Sequence, residues 1–280
     1  MSNNTFKIKN YDELVFTDDF LFCNILTHNE DLCIELTEMI TGRKVRNIVK
    51  SHNQKAIKIT KDGKGVRFDV YFEDDERIFD IEMQTTNTGN LGKRVRYYQA
   101  MIDMDHINRG GKYENLKDSY IIFICTFDLF KKGLHKYTFI NTCLEVNDLM
   151  LGDETYKIFL CAGGNANDCS DEIKDFLDYI SGKGTTGDFS RKLEAEVQKA
   201  HLKEEWRSSY MLLVDRDRQI REEGKAEGLI EGRAVGIKEG KAVGIKEGRA
   251  RGLAEGAAGI IRILKDINSS DVHIVDELKK

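Results

Sequence analysis

Two short segments constrain the chain more than any other part of it. Val66-Arg67-Phe68-Asp69-Val70-Tyr71-Phe72 follows a two-residue period, as does Ile78-Phe79-Asp80-Ile81-Glu82-Met83-Gln84, and a polar stretch, Glu73–Arg77, separates them. A period of two marks strands with one face in a core, so the pair predicts a β-hairpin. With Asp74–Arg77 as the loop, Glu73 meets Ile78 and the apolar pairs Phe72–Phe79, Val70–Ile81 and Phe68–Met83 stack on one face. On the other face Asp69 opposes Glu82, and Arg67 opposes Gln84. A slip of one residue would set apolar against charged side chains throughout, so the pattern selects this register.

Opposed residues of an antiparallel pair have Cβ atoms about 4.5–5.5 Å apart, close enough for two carboxylates to share a divalent ion. Without a cation they repel. A hard ion such as Mg²⁺ takes oxygen ligands, polarises a phosphodiester and acidifies a bound water, so this face supplies the minimum of a metal-dependent phosphodiesterase site. An acidic strand face is often no more than solvated. Here Asp80 shares the face, and the flanking sequence is basic. From Arg43 to Arg67 nine basic side chains stand against Asp62 alone, and the basic-aromatic run Lys93–Tyr98 follows the hairpin. Arg43, Lys44, Arg46, Lys50 and Lys55 are the candidate DNA phosphate contacts.

The remaining pattern mixes helices and strands. Tyr11 to about Gly42 is expected to be helical, capped at Thr17 or Asp18, and Val45–Ile59 forms a first strand. A helix opens at Gly89-Asn90, carries Leu91, Val95, Tyr98, Met101 and Ile102 inward, and ends near Arg109-Gly110-Gly111. Tyr120–Phe127 is a continuous apolar run suited to a buried strand, Lys136–Val146 and Tyr156–Cys161 are further strands, and Ile173–Ile180 is a helix. The expected class is therefore α/β, or α+β, with a mixed central sheet flanked by helices. Residues 1–180 form the core, and 181–188 a linker. Residues 189–223 form an amphipathic helix, and 224–280 a separate helical extension.

That extension has its own pattern. A glycine recurs at every fourth position from Gly224 to Gly256, nine in all. In a helix interior each costs roughly 1 kcal/mol against alanine. Small residues at this spacing let two backbones approach closely. Four residues turn through about 400°, so the stripe drifts around the helix and a straight partner would lose it. The array is either a wrapped contact with another copy, giving a homo-oligomer through 224–256, or a flexible tail.

Composition excludes other classes. No run of about 18 uncharged apolar residues exists, and Met1-Ser2-Asn3-Asn4 lacks the layout of a secretory signal, so no membrane partner and a cytoplasmic location are expected. The six cysteines show no zinc spacing and are read as reduced, buried thiols. The six histidines are scattered, and the Walker pattern is absent. A net charge of −5 does not announce a nucleic-acid binder, although a global count hides local patches.

A strand Asp, a short hairpin and then Glu-x-Lys or a variant resembles the PD-(D/E)XK nuclease signature. The form seen here runs through Val66–Val70, Ile81–Gln84 and Lys93–Gln99, with Thr17–Phe22 before it and Glu-Gly repeats after it. It resembles the recombination-promoting nuclease and putative transposase family. The resemblance implies a restriction-endonuclease-like fold and a bacterial enzyme. It implies cleavage of DNA with Mg²⁺, for which Mn²⁺ substitutes, in a recombination or mobile-element setting. Asp69 and Glu82 match the motif carboxylates as metal ligands, and Asp19 is a further acidic candidate. Phe68 stands where the founding motif has proline, and Gln84 where it has lysine. Arg67, Lys93 or Arg94 could restore that cation. Two alternatives stay open: a non-catalytic DNA-binding or interaction module on the same fold, and an accessory protein that works by oligomerising. If the glycine array assembles the protein, a chain ending at Glu223 sediments at a lower multiple of its own mass than the full chain; an unchanged multiple excludes assembly through the repeat.

Overall fold

The computed structural model describes residues 8–58, 64–107, 110–266 and 278–279. Lys61 of the basic segment and Arg109 at the expected helix end lie outside these residues. The chain divides into two compact units, Met1–Met211 and Leu212–Lys280.

The first unit is built on a six-stranded mixed sheet. Its strands are β1 (Lys50–Asn53), β4 (Val70–Glu73), β5 (Arg77–Gln84), β6 (Asp118–Cys125), β8 (Thr155–Cys161) and β7 (Lys136–Phe139), in that spatial order. β1, β4 and β5 form an antiparallel meander, β6 and β8 run parallel to β5, and β7 is antiparallel to β8. Two further strands, β2 (Ala56–Ile57) and β3 (Val66–Arg67), pair separately as a two-stranded sheet. β6 is buried along all but its first residue, as its apolar sequence requires of a central parallel strand.

One face of the sheet is covered by α3 (Leu91–His106), the connection between β5 and β6. Its residues Leu91, Val95, Tyr98, Met101 and Ile102 close on Tyr71, Ile78, Ile121, Phe123 and Phe159. The opposite face carries a row of aromatic rings across four strands: Phe72 on Phe79 at 4.8 Å, Phe79 on Tyr120 at 5.2 Å and Tyr120 on Tyr156 at 4.6 Å between centroids. Such cross-strand pairs fix register as well as bury area. The helices α1 (Asp19–His28), α2 (Glu30–Thr41), α4 (Asp171–Ile180) and α5 (Asp188–His201) pack among themselves, and α1 lies against β1 and β4.

Several expected elements are divided. The helix over 11–42 is a single 3₁₀ turn followed by α1 and α2, broken at Asn29, which leaves helical geometry and donates its side-chain amide to the Ile25 carbonyl. Gly42 then ends α2 in the left-handed conformation, φ +67°, the common glycine terminator. The strand over 45–59 is broken between β1 and β2, and the strand from Lys136 stops at Phe139. The helix over 189–223 is interrupted between α5 and α6 (Glu204–Asp266). The cause of that break is tertiary: His201, Arg207 and Tyr210 bond to Leu14, Asp12 and Lys9, so the chain must turn to reach them. Of the six cysteines, Cys23, Cys33, Cys125 and Cys161 are buried thiols, and Cys143 and Cys169 are half-buried.

In the second unit α6 continues unbroken through the whole glycine array. Among the described residues, a Cβ added at any of those glycines would meet no heavy atom outside the local helix backbone within 4 Å, and Leu229, Ile230, Val235, Ile237, Val243 and Ile245 are exposed along it.

The hairpin turn is locked by a buried side chain. Asp74 Oδ1 accepts the backbone N–H groups of Glu76 at 2.9 Å and Arg77 at 2.7 Å, and its own N–H donates to the Arg77 carbonyl at 3.0 Å. Asp74 thus mimics the backbone of a tighter turn. Asp74→Ala is expected to lower stability by about 1–3 kcal/mol in urea unfolding, because two N–H groups lose their acceptor, and Asp74→Asn is expected to recover part of it.

Candidate active site

The register expected for the hairpin is observed from Glu73–Ile78 through Phe72–Phe79 to Val70–Ile81. It stops there. Asp69 is a bend, and the preceding residues leave β5 to pair with β2, with Arg67 opposite Ala56. The expected oppositions Phe68–Met83 and Arg67–Gln84 are therefore corrected. Phe68 turns instead onto the α3 side, packing on Tyr71 at 5.5 Å and Tyr98 at 5.1 Å between centroids. Phe68 and Tyr71 are three apart and would face opposite ways in a regular strand. The bend reverses the alternation, and burial of the Phe68 ring favours it. Just past the end of β1, Gln54 takes a positive φ of 52°, and its N–H donates to the Asp69 carbonyl at 3.1 Å, so the irregularity faces the turn between β1 and β2.

Freed from the ladder, Asp69 exchanges side-chain bonds with β5. Its N–H donates to Glu82 Oε1 at 3.0 Å, while its own Oδ2 accepts the Met83 N–H at 3.2 Å. Asp69 and Glu82 are thus adjacent, as the sequence predicted, but through side chains and not through a strand pair. Asp19, in the first turn of α1, completes an acidic group. Its Oδ2 accepts from Gln54 Nε2 at 3.2 Å and from Arg67 Nη2 at 3.4 Å. Ligand atoms of Asp19, Cys23 and Asp69 all lie within 4.8 Å of one another.

Arg94, one turn into α3, supplies the positive charge. Its Nη2 donates to Glu82 Oε2 at 2.6 Å and its Nη1 to Gln84 Oε1 at 3.0 Å, while its Nε donates to the Tyr98 hydroxyl at 2.8 Å. The guanidinium also lies 5.3 Å from the Phe123 ring centroid. The Gln84 amide is held in that orientation because its Nε2 donates to the Thr86 carbonyl at 2.6 Å. Of the three residues considered able to replace the motif lysine, Arg94 reaches Gln84, Arg67 reaches Asp19, and Lys93 is exposed.

Burial and crowding dominate the electrostatics. Burial, with the Asp19 charge beside it, pushes Asp69 up to about 7, and burial with the Asp69 charge pushes Glu82 up to about 8. Asp80, on the same face of β5 and fully buried, is raised well above the usual carboxylate range by burial and then by Glu82 and Asp69. Both Asp80 carboxyl oxygens lack a hydrogen-bond partner among the described residues. Arg94 stays cationic: burial lowers its pKa, but Glu82 and Tyr98 outweigh that effect. Carboxylates gathered this closely, one of them with orphaned oxygens, form a hard oxygen donor set that a divalent cation would relieve. Asp19 and Asp69 bring ligand atoms within 4.8 Å of one another, and Glu82, whose two oxygens accept the Asp69 N–H and Arg94, stands beside them.

The basic segment is placed differently. Lys44 pairs with Glu38, Arg46 with Glu76, and Lys55 with Asp105 while lying over the Tyr71 ring. Arg43 is exposed, and the side chain of Lys50 lies outside the described residues. Residues 43–46 sit by the hairpin turn, since the Arg46 N–H donates to Asp74 and Arg77 Nη1 to the Lys44 carbonyl. The carboxylates are at the other end of β5, roughly 15–20 Å away at the strand rise per residue. Among the described residues, exposed cations nearer to the carboxylates along the chain include Lys64, Arg67 and Lys93. Cys23, Gln54 and Tyr98 were not singled out as site residues from the sequence. The spacing of four between Asp19 and Cys23 on one helix face could have revealed Cys23; no sequence signal points to Gln54.

A mixed sheet that carries Asp69 and Glu82-x-Gln84 on a hairpin, followed by a helix whose arginine returns to them, defines a PD-(D/E)XK nuclease-like fold. Residues 16–150 match the family model described as PD-(D/E)XK nuclease family transposase, and this segment of the chain belongs to that family. The match takes in α1 through β7 and ends before β8. PD-(D/E)XK nucleases generally use divalent metal ions. No curated protein and no solved structure matches the chain.

The raised carboxyl groups have a consequence for stability. Asp69 and Glu82 keep protons in the folded state at pH values where the unfolded chain has released them, so unfolding free energy falls as pH rises. The metal-free protein should lose thermal stability between roughly pH 5 and pH 8, with a divalent cation restoring it at the upper end. Asp69→Asn should flatten the loss, and melting curves across that range measure both effects.

Proposed function

We propose that this protein is a Mg²⁺-dependent DNA endonuclease that hydrolyses phosphodiester bonds in a recombination or mobile-element setting in the bacterial cytoplasm. The observation that carries the reading is Arg94 bridging Glu82 and Gln84, a cation supplied from α3 where the motif lysine is replaced.

Asp69, Glu82 and Asp19 would hold the ion, Mg²⁺ or Mn²⁺ in its place. Bound there, the ion would polarise the scissile phosphate and lower the pKa of a water. The chain's own residues do the rest. Arg94 has the planar donor geometry that suits phosphate oxygens and can stabilise charge that develops on the pentacovalent phosphorus. Gln84 positions that guanidinium by accepting from it. Tyr98 and the Phe123 ring hold it from behind. Lys64, Arg67 and Lys93 offer phosphate contacts on the strand being cut. The glycine array of α6 is assigned to self-association.

A second reading is favoured by the same contact: Arg94 pairs so closely with Glu82 that the site could be a binding module without turnover. Plasmid nicking separates the two. Asp69→Ala should abolish Mg²⁺-dependent nicking with the fold intact by circular dichroism. Arg94→Ala should slow it on the order of 10²-fold, the usual cost of one transition-state donor. Gln84→Lys added to Arg94→Ala should recover part of that loss by putting a cation back at the motif position. Nicking undiminished in Asp69→Ala removes the carboxylate from the mechanism, and no nicking by the parent protein favours the binding module.

A further inference from the structure

Between β7 and β8 the chain leaves the sheet and forms a small arm. Residues 141–154 fold back on themselves: the Leu151 N–H donates to the Asn141 carbonyl at 2.9 Å, the Cys143 N–H to the Leu149 carbonyl at 2.8 Å, and Thr142 pairs with Met150. None of the residues in this arm is buried. Leu144 is 91% exposed and Leu151 71%, and Val146, Leu149 and Met150 are each more than half exposed. A two-stranded ribbon is marginal in water unless another surface packs on it, and apolar side chains gathered on an exposed segment mark an interaction surface. Its charge is one-sided. Glu145, Asp148, Asp153 and Glu154 stand in a stretch with no lysine or arginine from Tyr137 to Tyr156. Among the described residues three of them accept only from neutral donors: Glu145 from the Cys143 thiol, Asp153 from Asn141 and Thr155, and Glu154 from Tyr156.

The chain also carries the complement of this surface. Residues 233–251 of α6 hold Arg233, Lys238, Lys241, Lys246, Arg249 and Arg251 against Glu239 and Glu247. Among the described residues only Arg251 of these six cations has a carboxylate partner, Glu255 at 3.6 Å. Aliphatic side chains stand between the cations, and Val235, Ile237, Val243 and Ile245 are exposed. At about 100° per residue, Val235, Val243, Lys246 and Arg249 fall within roughly 120° of one another, with Glu239 the one acid of the stretch between them. The stretch is about 27 Å long, enough to cover strands of about 17–20 Å. Cations alone would also suit a nucleic-acid backbone. Phosphates gain nothing from exposed valine and isoleucine, whereas the arm offers carboxylates and aliphatic side chains together.

We propose that residues 141–154 dock residues 233–251 of α6 from a second copy of the chain. The proposal rests on the self-association assigned to α6 above and names the surface that receives it. Each copy carries both surfaces, so two reciprocal contacts close a two-fold pair and leave neither surface free to grow a filament. The aliphatic side chains supply the buried contact, and the opposed charges select the partner and make association salt-sensitive.

Sedimentation of the full chain tests this, with every substitution placed on an exposed side chain. The parent protein should sediment as a dimer. Leu144→Asp with Leu149→Asp should weaken the dimer by more than about 10-fold, the loss expected when interface anchors are removed. Glu145→Lys with Glu154→Lys should weaken it, as should Lys246→Glu with Arg249→Glu, and the four changes together should recover affinity. An arm with a purely local role would gain nothing from charges changed on α6. With p-benzoylphenylalanine in place of Leu144, crosslinks should form between chains and map to residues 233–251. A crosslink to another arm, or within one chain, overturns the assignment. So do α6 charge variants that lose DNA binding and keep the dimer. A dimer that survives every arm substitution but is lost in a chain ending at Glu223 keeps self-association through α6 and overturns this counterpart; a monomeric parent protein overturns both.

Discussion

The bond from the Asp69 N–H to the Glu82 carboxylate is the contact on which the site depends. It replaces a strand hydrogen bond by a side-chain one, at the point where β4 stops pairing with β5. Because the strand bends there, Asp69 is aimed along the edge of β5, toward α1 and Cys23, while Phe68 is driven into the core under α3. A regular strand would have placed Asp69 squarely opposite Glu82 and left Arg67 beside Gln84. The observed bend instead leaves room on the Gln84 side for a residue from α3, and Arg94 fills it.

The acidic cluster is expensive to assemble. Burial and mutual repulsion raise Asp69, Asp80 and Glu82 together, and Arg94 offsets only part of that cost. The apolar contacts around it make the arrangement affordable: the aromatic row Phe72, Phe79, Tyr120 and Tyr156 under the sheet, and Phe68, Tyr98 and Phe123 above it. Strain retained at a site by a well-packed surround is a common feature of binding and catalytic centres. The same surround holds the arginine, since Tyr98 and Phe123 belong both to the core under α3 and to the cradle of the guanidinium.

The two units follow different rules. In the first, alternation and apolar runs place nearly every strand, because burial on a sheet face imposes a strict period. Boundaries were less legible: the break at Leu202–Lys203 answers to contacts of His201, Arg207 and Tyr210 with residues near the start of the chain, which local pattern does not contain. In the second, the glycine spacing sets a helix with no side chains at every fourth position, and the exposed aliphatic residues of α6 share that helix. The physical cost of those glycines is independent of what they contact.

The sequence by itself determined the hairpin, its register up to Val70–Ile81, and the nearness of Asp69 to Glu82, because only one register keeps apolar side chains together. It also narrowed the replacement for the motif lysine to Arg67, Lys93 and Arg94. Tertiary structure alone decided among them. The bend at Asp69 carried Arg67 off to β2 and Asp19, the helical phase of α3 turned Arg94 inward and left Lys93 in solvent, and the pairing of Lys44, Arg46 and Lys55 with nearby acids tied up much of the basic segment. Those outcomes depend on which elements meet in space, and a pattern with a period of two or of 3.6 residues records only which face of an element is buried.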